Sequence, residues 1–268
     1  MATRPAAVAG SFYPAEANQL SAEIVQLLST AAPQPDQNSP LPRAIIVPHA
    51  GYIYSGLTAA FAYAMLRGAV FKRVVLFGPA HRVGFHGMAL PELDTYQTPL
   101  GDIAIDQEGV ARALKHPEVQ GSDMAHAEEH SLEVQLPFLQ SVLDDFKLLP
   151  VCIGMIEPQA VAEVMELFLD DAKTLLVISS DLSHFHDYQR ANAIDAVTVD
   201  VMLSGNGLLD HEQACGATGI NALLLLAGKY QLQPRLLDYR NSGDTAGDKS
   251  RVVGYASMAW FAKGSLNE

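Results

Sequence analysis

Two histidines stand where strand-like apolar runs give out. His49 follows "AIIV" in "RAIIVPHAGYIYSG", and His81 follows "VVLFGPA" in "FKRVVLFGPAHRVGF". A neutral imidazole is a ligand suited to zinc, copper and iron, and a proton carrier near pH 7. Asp181 and His184 come after "LLVIS" in the same way, and Asp244 comes after "RLLDYRNSG". Two His and one carboxylate on separate loops, with room left for water or substrate, make the ligand set of non-haem Fe(II) oxygenases. A zinc hydrolase can use the same set, because catalytic zinc also takes three protein ligands and keeps an open position. Spacing leaves the metal open, and it leaves the carboxylate open among Asp181, Asp244 and Asp248.

Each residue also has an ordinary structural role to set against that chemistry. A His after a strand commonly bonds a backbone carbonyl or meets solvent. Asp181 in "SSDLSH" suits a turn or a helix N-cap, and Asp244 in "NSGDTAGD" suits a turn. What sets His49 and His81 apart is that their topological position is repeated. In "SHFH", an extended backbone would turn His184 and His186 to one face; the reading preferred is that His184 alone faces the site and His186 faces the surface. "AHAEEHSLEVQLPFLQ" carries His126, Glu128, Glu129, His130 and Glu133. His126 and His130 have helical i,i+4 spacing, but the Glu that directly follows the first His in HExxH is absent, so His126 and Glu128 read as a polar helix start. Cys152 and Cys215 follow no CxxC spacing and read as small apolar core residues.

The elements that must position these groups alternate along the chain. "RAIIVPH", "FKRVVLFGPAH", "FKLLPVCIGM", "TLLVISSDLSH", "PRLLDYRNSGD" and "RVVGYASMAWF" read as strands. "SGLTAAFAYAMLRGA", "EPQAVAEVMELFLDD", "DYQRANAIDAVTVDVMLSG" and "GATGINALLLLAGKYQ" read as helices. This order predicts an α/β fold, a mostly parallel or mixed central sheet flanked by helices, in a single domain over 1–268. Right-handed crossovers gather the C-terminal ends of parallel strands at one edge, which is where the polar residues above fall. "GFHGMALPELDTYQTPLGDIAIDQ" breaks the rhythm and reads as inserted antiparallel strands or a long loop. An N-terminal helical segment packs on the domain, joined to it by a Pro-rich surface linker over residues 30–42.

Composition narrows the function classes. The 268 residues are 49% hydrophobic and 18% charged, enough apolar material for a large core. Thirty acidic against seventeen basic residues give a net charge of −13, and no Lys/Arg cluster forms a phosphate-tracking stripe, so neither nucleic acid nor an anionic membrane is expected as a partner. "NALLLLAGKY" is too short to span a bilayer, and "MATRPAAVAGSFYPAEANQL" lacks the continuous apolar segment of a secretory signal; the expected location is cytoplasmic.

The blocks "RPAAVAGSFYP", "VPHAGYIYSG", "VVLFGPAHRVGFHGMAL", "EEHSLEVQLPFLQ", "VISSDLSHFHDY" and "VVGYASMAW", in this order over nearly the whole chain, resemble the MEMO1 family, whose microbial members are called AmmeMemoRadiSam system protein B. That family is similar in fold to the class III extradiol dioxygenases, which use Fe(II), two His and a carboxylate. The resemblance implies an extradiol-dioxygenase-like domain with a metal pocket at the strand ends and His49 and His81 as ligands. The third ligand of animal members is a Cys in a late strand-end loop; aligning "SGDTAGDKSRVVGYAS" puts Asp244, or its neighbour Thr245, there. A carboxylate in place of thiolate favours Fe(II) over Cu(I), with zinc also compatible. The same resemblance gives His184 acid/base work, puts His130 and Glu129 in the pocket or behind a ligand, and sets Tyr54 along the cleft; Asp181 is expected to bind substrate from its place after a strand end. The function expected is a metal-dependent redox enzyme acting on a small molecule or a partner-derived intermediate. The alternatives are a non-catalytic adaptor that recognises a peptide or phospho-ligand and a zinc hydrolase. The family name further implies AMMECR1-like and radical-SAM partners; with two cysteines, this chain lacks the three-Cys motif of such a cluster and the partner would supply it.

Overall fold

Four apolar segments with almost no exposed positions build the centre of the molecule. In the computed structural model, which describes residues 2–31 and 40–264, the strands are Thr3–Arg4 (β1), Ala44–Val47 (β2), Arg73–Pro79 (β3), Met88–Leu90 (β4), Thr95–Thr98 (β5), Gly101–Ala104 (β6), Val119–Gly121 (β7), Lys147–Ile153 (β8), Thr174–Ser179 (β9), His184–His186 (β10), Gln233–Asn241 (β11) and Val252–Phe261 (β12). Every residue of β2 and β9 is buried, as are the middles of β3 and β8. Continuous β-branched and leucine runs of this kind belong to parallel strands covered on both faces. The pairings agree: β2 with β9, β9 with β3 and β3 with β8 are all parallel. The large sheet runs β10-β12-β2-β9-β3-β8-β4-β7, and β11 adds to β12.

Register places the useful ends together. Val47 pairs with Ser179 and Pro79 with Ile153, so β2, β9, β3 and β8 finish at one edge. On the far side of β2 the sheet turns antiparallel through β12, and β11 is antiparallel to β12 in turn. β11 therefore runs in the same sense as β2 and ends at the same edge. The mixed α/β sheet expected from the sequence is the one observed. Its irregular stretch is an insertion of β4, antiparallel to β8, and a β5-β6 hairpin that joins β1 in a second small sheet.

Helices Ala17–Ala31, Leu57–Ala64 and Leu136–Val142 pack on one another, with Leu57–Ala64 against β2 and β12; Pro158–Leu169 and Ala217–Tyr230 pack together against β3 and β9. One hydrophobic cluster runs through these layers and includes Leu20, Ile24 and Leu28 of the first helix. The Pro-rich linker reading falls mainly outside the described residues. Among those described, no helix is long and apolar enough to cross a membrane.

A charged pair is sealed inside this apolar frame. Arg4 and Glu133 are both buried, and the guanidinium Nη1 lies 2.5 Å from Glu133 Oε2. Arg4 Nε donates to His126 O at 2.6 Å and Nη2 to Glu129 O at 3.0 Å, while its carbon lies 4.9 Å from the Tyr96 ring centroid. Removing one partner of such a pair strands a buried charge. Arg4→Met is expected to cost about 3–5 kcal/mol in urea denaturation. Lys72→Met, which breaks the exposed pair with Asp145, is expected to cost under about 1 kcal/mol.

Candidate metal centre

Three imidazoles meet beyond the strand ends. One ligand nitrogen from each of His49, His81 and His130 fits in a group whose members all lie within 4.8 Å of one another. Ring centroids are 5.1 Å apart for His49 and His81, 4.7 Å for His81 and His130, and 5.4 Å for His49 and His130. His49 and His81 arrive directly from β2 and β3. His130 opens the short helix His130–Glu133, which the Glu129 side chain caps by accepting from Ser131 N. That helix can sit against the end of β3 because residue 78 is glycine: a Cβ there would lie 2.6 Å from Ser131 Oγ.

Hydrogen bonds behind the rings fix which nitrogen carries the proton. Glu129 Oε1 accepts from His81 Nδ1 at 3.0 Å, and Oε2 accepts from His81 N at 2.6 Å. A carboxylate accepts only, so His81 keeps its lone pair on Nε2. Burial pushes the Glu129 carboxyl up, but the bonds from the His81 ring and from Ser131 and His81 N–H groups outweigh it and hold the group at about 2.

His49 is fixed by a longer chain. The Ser179 hydroxyl donates to Ser131 O at 2.6 Å and Gln135 Nε2 donates to Ser179 Oγ at 2.8 Å. Tyr63 in turn donates to Gln135 Oε1 at 2.8 Å. With the hydroxyl proton spent on a carbonyl, Ser179 Oγ accepts from His49 Nδ1 at 2.8 Å, and His49 too keeps its lone pair on Nε2. Such partners set tautomer and orientation in metal-ligating histidines.

The third ring is different. His130 Nδ1 lies 3.4 Å from Glu129 Oε1 without hydrogen-bond geometry and is a buried nitrogen with no hydrogen-bond partner among the described residues. Burial first, then the neighbouring imidazole of His81, lowers His130 to about 4, and burial with the other rings lowers His49 well below the usual histidine value. Three converging imidazoles, two with Nδ1 engaged from behind and Nε2 left as donor, fit a divalent metal ion with imidazole ligands.

Two loops close round His49. Its N–H donates to Asp181 Oδ1 at 2.7 Å, and burial pushes that carboxyl up against the pull of this bond. Cys215 Sγ lies 3.3 Å from His49 Nε2. The cysteine reaches that position because Gly216 follows it: a Cβ there would be 2.7 Å from Ser180 Cβ. Burial, then the Asp181 charge, pushes the Cys215 thiol up to about 12, so in this setting it is a neutral donor to His49.

Other expected residues lie further off. His184, on β10, is close enough for its charge to weigh on His49, Asp181 and Asp195. A register shift between His184 and His186, with Phe185 at φ 63°, replaces the regular extended strand assumed for "SHFH". Tyr54 is 42% exposed in the π-helical turn Tyr52–Gly56, and Tyr52 beside it is the buried one of the pair. Asp244 comes to the right edge but turns away. It completes a capping box with Asn241, accepting from Asn241 N at 3.0 Å and from Tyr188 Oη at 2.7 Å. The three-residue group holds His130 and not Asp244. His126 is a structural residue: Nε2 donates to Ala89 O at 2.9 Å and Nδ1 accepts from Tyr96 Oη at 2.6 Å.

The sequence profile of the family described as Memo-like protein matches residues 4–259. MEMO1 family proteins from three organisms are similar over nearly their full lengths. That of Methanosarcina mazei is 36% identical over 96% of this chain and 99% of its own. The corresponding figures are 35%, 94% and 97% for Archaeoglobus fulgidus, and 35%, 97% and 100% for Aquifex aeolicus.

Ser179 bonds the His49 ring at Nδ1, so its removal tests the tautomer argument. Ser179→Ala is expected to weaken divalent-metal binding by about 10–100-fold, as loss of an outer partner does. Competition against a chromophoric chelator reads the affinity, and long-range 1H–15N spectra of the metal-free protein read the His49 tautomer directly.

Proposed function

This chain belongs to the Memo-like, or MEMO1, protein family, and from that premise we propose that it is a metal-dependent redox protein of the non-haem iron type acting on a small molecule. The observation that carries the reading is the convergence of His49, His81 and His130, one ring nitrogen of each lying within 4.8 Å of the others. In this account the three imidazoles hold the metal, with Nε2 the donor of His49 and His81. Iron bound there would supply redox chemistry towards dioxygen and Lewis acidity towards a substrate oxygen.

The chain's own groups do the rest. Glu129 and Ser179 hold His81 and His49 in the donor tautomer. Asp181 fixes the backbone of His49, and the Cys215 thiol stands over its Nε2. His184 is the group assigned to carry a proton to or from substrate, because it neighbours Asp181 and His49 and is half-buried rather than sealed in. Substrate enters from the cleft that opens beside His81 and Cys215.

A second reading has an observation of its own. Three imidazoles, of which His81 lines the open cleft, are also the donor set of a hydrolytic zinc site. Metal analysis of untagged protein purified without oxygen separates the two. Near-stoichiometric iron, lost in His49→Ala, is the result expected. Zinc in its place moves the account to a hydrolase. No uptake on anaerobic titration with Fe(II) and Zn(II) removes the metalloprotein reading and leaves a recognition pocket.

A further inference from the structure

The cleft that reaches the imidazole cluster has a volume of about 530 Å³ and is lined in part by Val83, Phe85, Ile153, Met155 and Ile156. Its polar side chains are His81, His211, Cys215 and Thr218; no Asp, Glu, Lys or Arg is among its lining residues. His211 is already engaged within the wall. A carbonyl only accepts, so Nδ1 donates to Cys215 O at 3.3 Å, and Nε2 lies 3.2 Å from Thr218 Oγ1. Neither ring nitrogen is left free to meet a ligand's charge. Arg82 is near enough to bear on His130 but does not line the cleft.

These facts set what the cleft can desolvate. A phosphate or carboxylate drawn along these walls would give up water with no cationic side chain among the lining residues to replace it, and that cost is steep for an ion. The molecule's net charge of −13 adds a long-range field of the same sign. An apolar body recovers free energy on the same walls, and Met155, 60% exposed, is an adaptable thioether at the opening. We propose that this cleft binds an uncharged, largely apolar small molecule that directs one polar group towards His81 and Cys215. The assignment rests on the metal-site reading only for what that polar group meets; the choice of a neutral ligand comes from the walls.

The test uses two probes that share a ring system and differ in charge, 2-naphthol and 2-naphthyl phosphate. Both are titrated into the full chain at pH 7.5 by calorimetry, once metal-free and once loaded with redox-silent Zn(II). The metal-free protein is expected to bind naphthol at least about tenfold more tightly than the phosphate. Met155→Asp, a change at an exposed position, is expected to weaken naphthol by about tenfold or more by placing a charge at the opening. Equal or tighter binding of the phosphate, or no binding of naphthol, overturns the proposal. Phosphate binding that vanishes in Arg82→Ala would assign the site to anions instead. Failure of Zn(II) to bind, with naphthol still preferred, counts against the metal reading and leaves the cleft assignment standing.

Discussion

The carboxylate of Glu133 is the constraint on which the site depends. It is fully buried, and beyond Arg4 it accepts from Ala7 N at 2.8 Å, Val8 N at 3.0 Å and Tyr13 Oη at 2.5 Å. A sealed ion costs several kcal/mol in lost hydration unless its oxygens are filled. Here they are filled almost entirely by one segment, residues 4–13. That requirement draws the start of the chain onto the helix carrying His130, and Phe12 from the same segment packs its ring 4.8 Å from the His130 ring. Phe12 O also accepts from Tyr52 N at 2.8 Å, which ties the turn after His49 to the same anchor. Groups that touch none of the ring nitrogens thus help to place the elements carrying His130 and His49.

Around that anchor the site is built by exclusion of alternatives. β2 and β3 are parallel, buried and finish at one edge, so their following residues must approach each other. Glu129 and Ser179 then remove the freedom of ring tautomer. Tyr63, Gln135 and Ser179 have no donor left over: each hydroxyl or amide proton described goes to an acceptor, and Gln135 Nε2 also donates to Pro48 O at 2.9 Å. A complete polar network in a low-dielectric interior holds a unique arrangement, whereas a half-filled one would not. His130 differs from the other two rings in that its Nδ1 has no hydrogen-bond partner among the described residues.

Much of this was legible in the sequence, for physical reasons that differ by residue. His49 and His81 follow largely buried parallel strands, and strand ends in such sheets are a topological consequence of handed crossovers. The same rule brought Asp244 to the correct edge. It carries no information on where a side chain turns, and the Asn241–Asp244 spacing was itself a capping-box signal that accounts for that carboxylate locally. His130 was assigned to the pocket through family resemblance, but its place in the ligand group is a tertiary fact. Cys215 read as core because its partner His49 is 166 positions away; the one local hint was the glycine after it. Arg4 and Glu133 were invisible as a pair, since nothing local marks a charge that will be buried against another far along the chain.

The central claim is that His49, His81 and His130 form one ligand face. Anaerobic calorimetric titration of Fe(II) into the wild type, His130→Ala and Asp244→Ala tests it most directly. The account predicts near-stoichiometric binding in the wild type and in Asp244→Ala. In His130→Ala it predicts a loss exceeding the roughly 10–100-fold cost of an outer partner. Unchanged binding in His130→Ala together with loss in Asp244→Ala would contradict it.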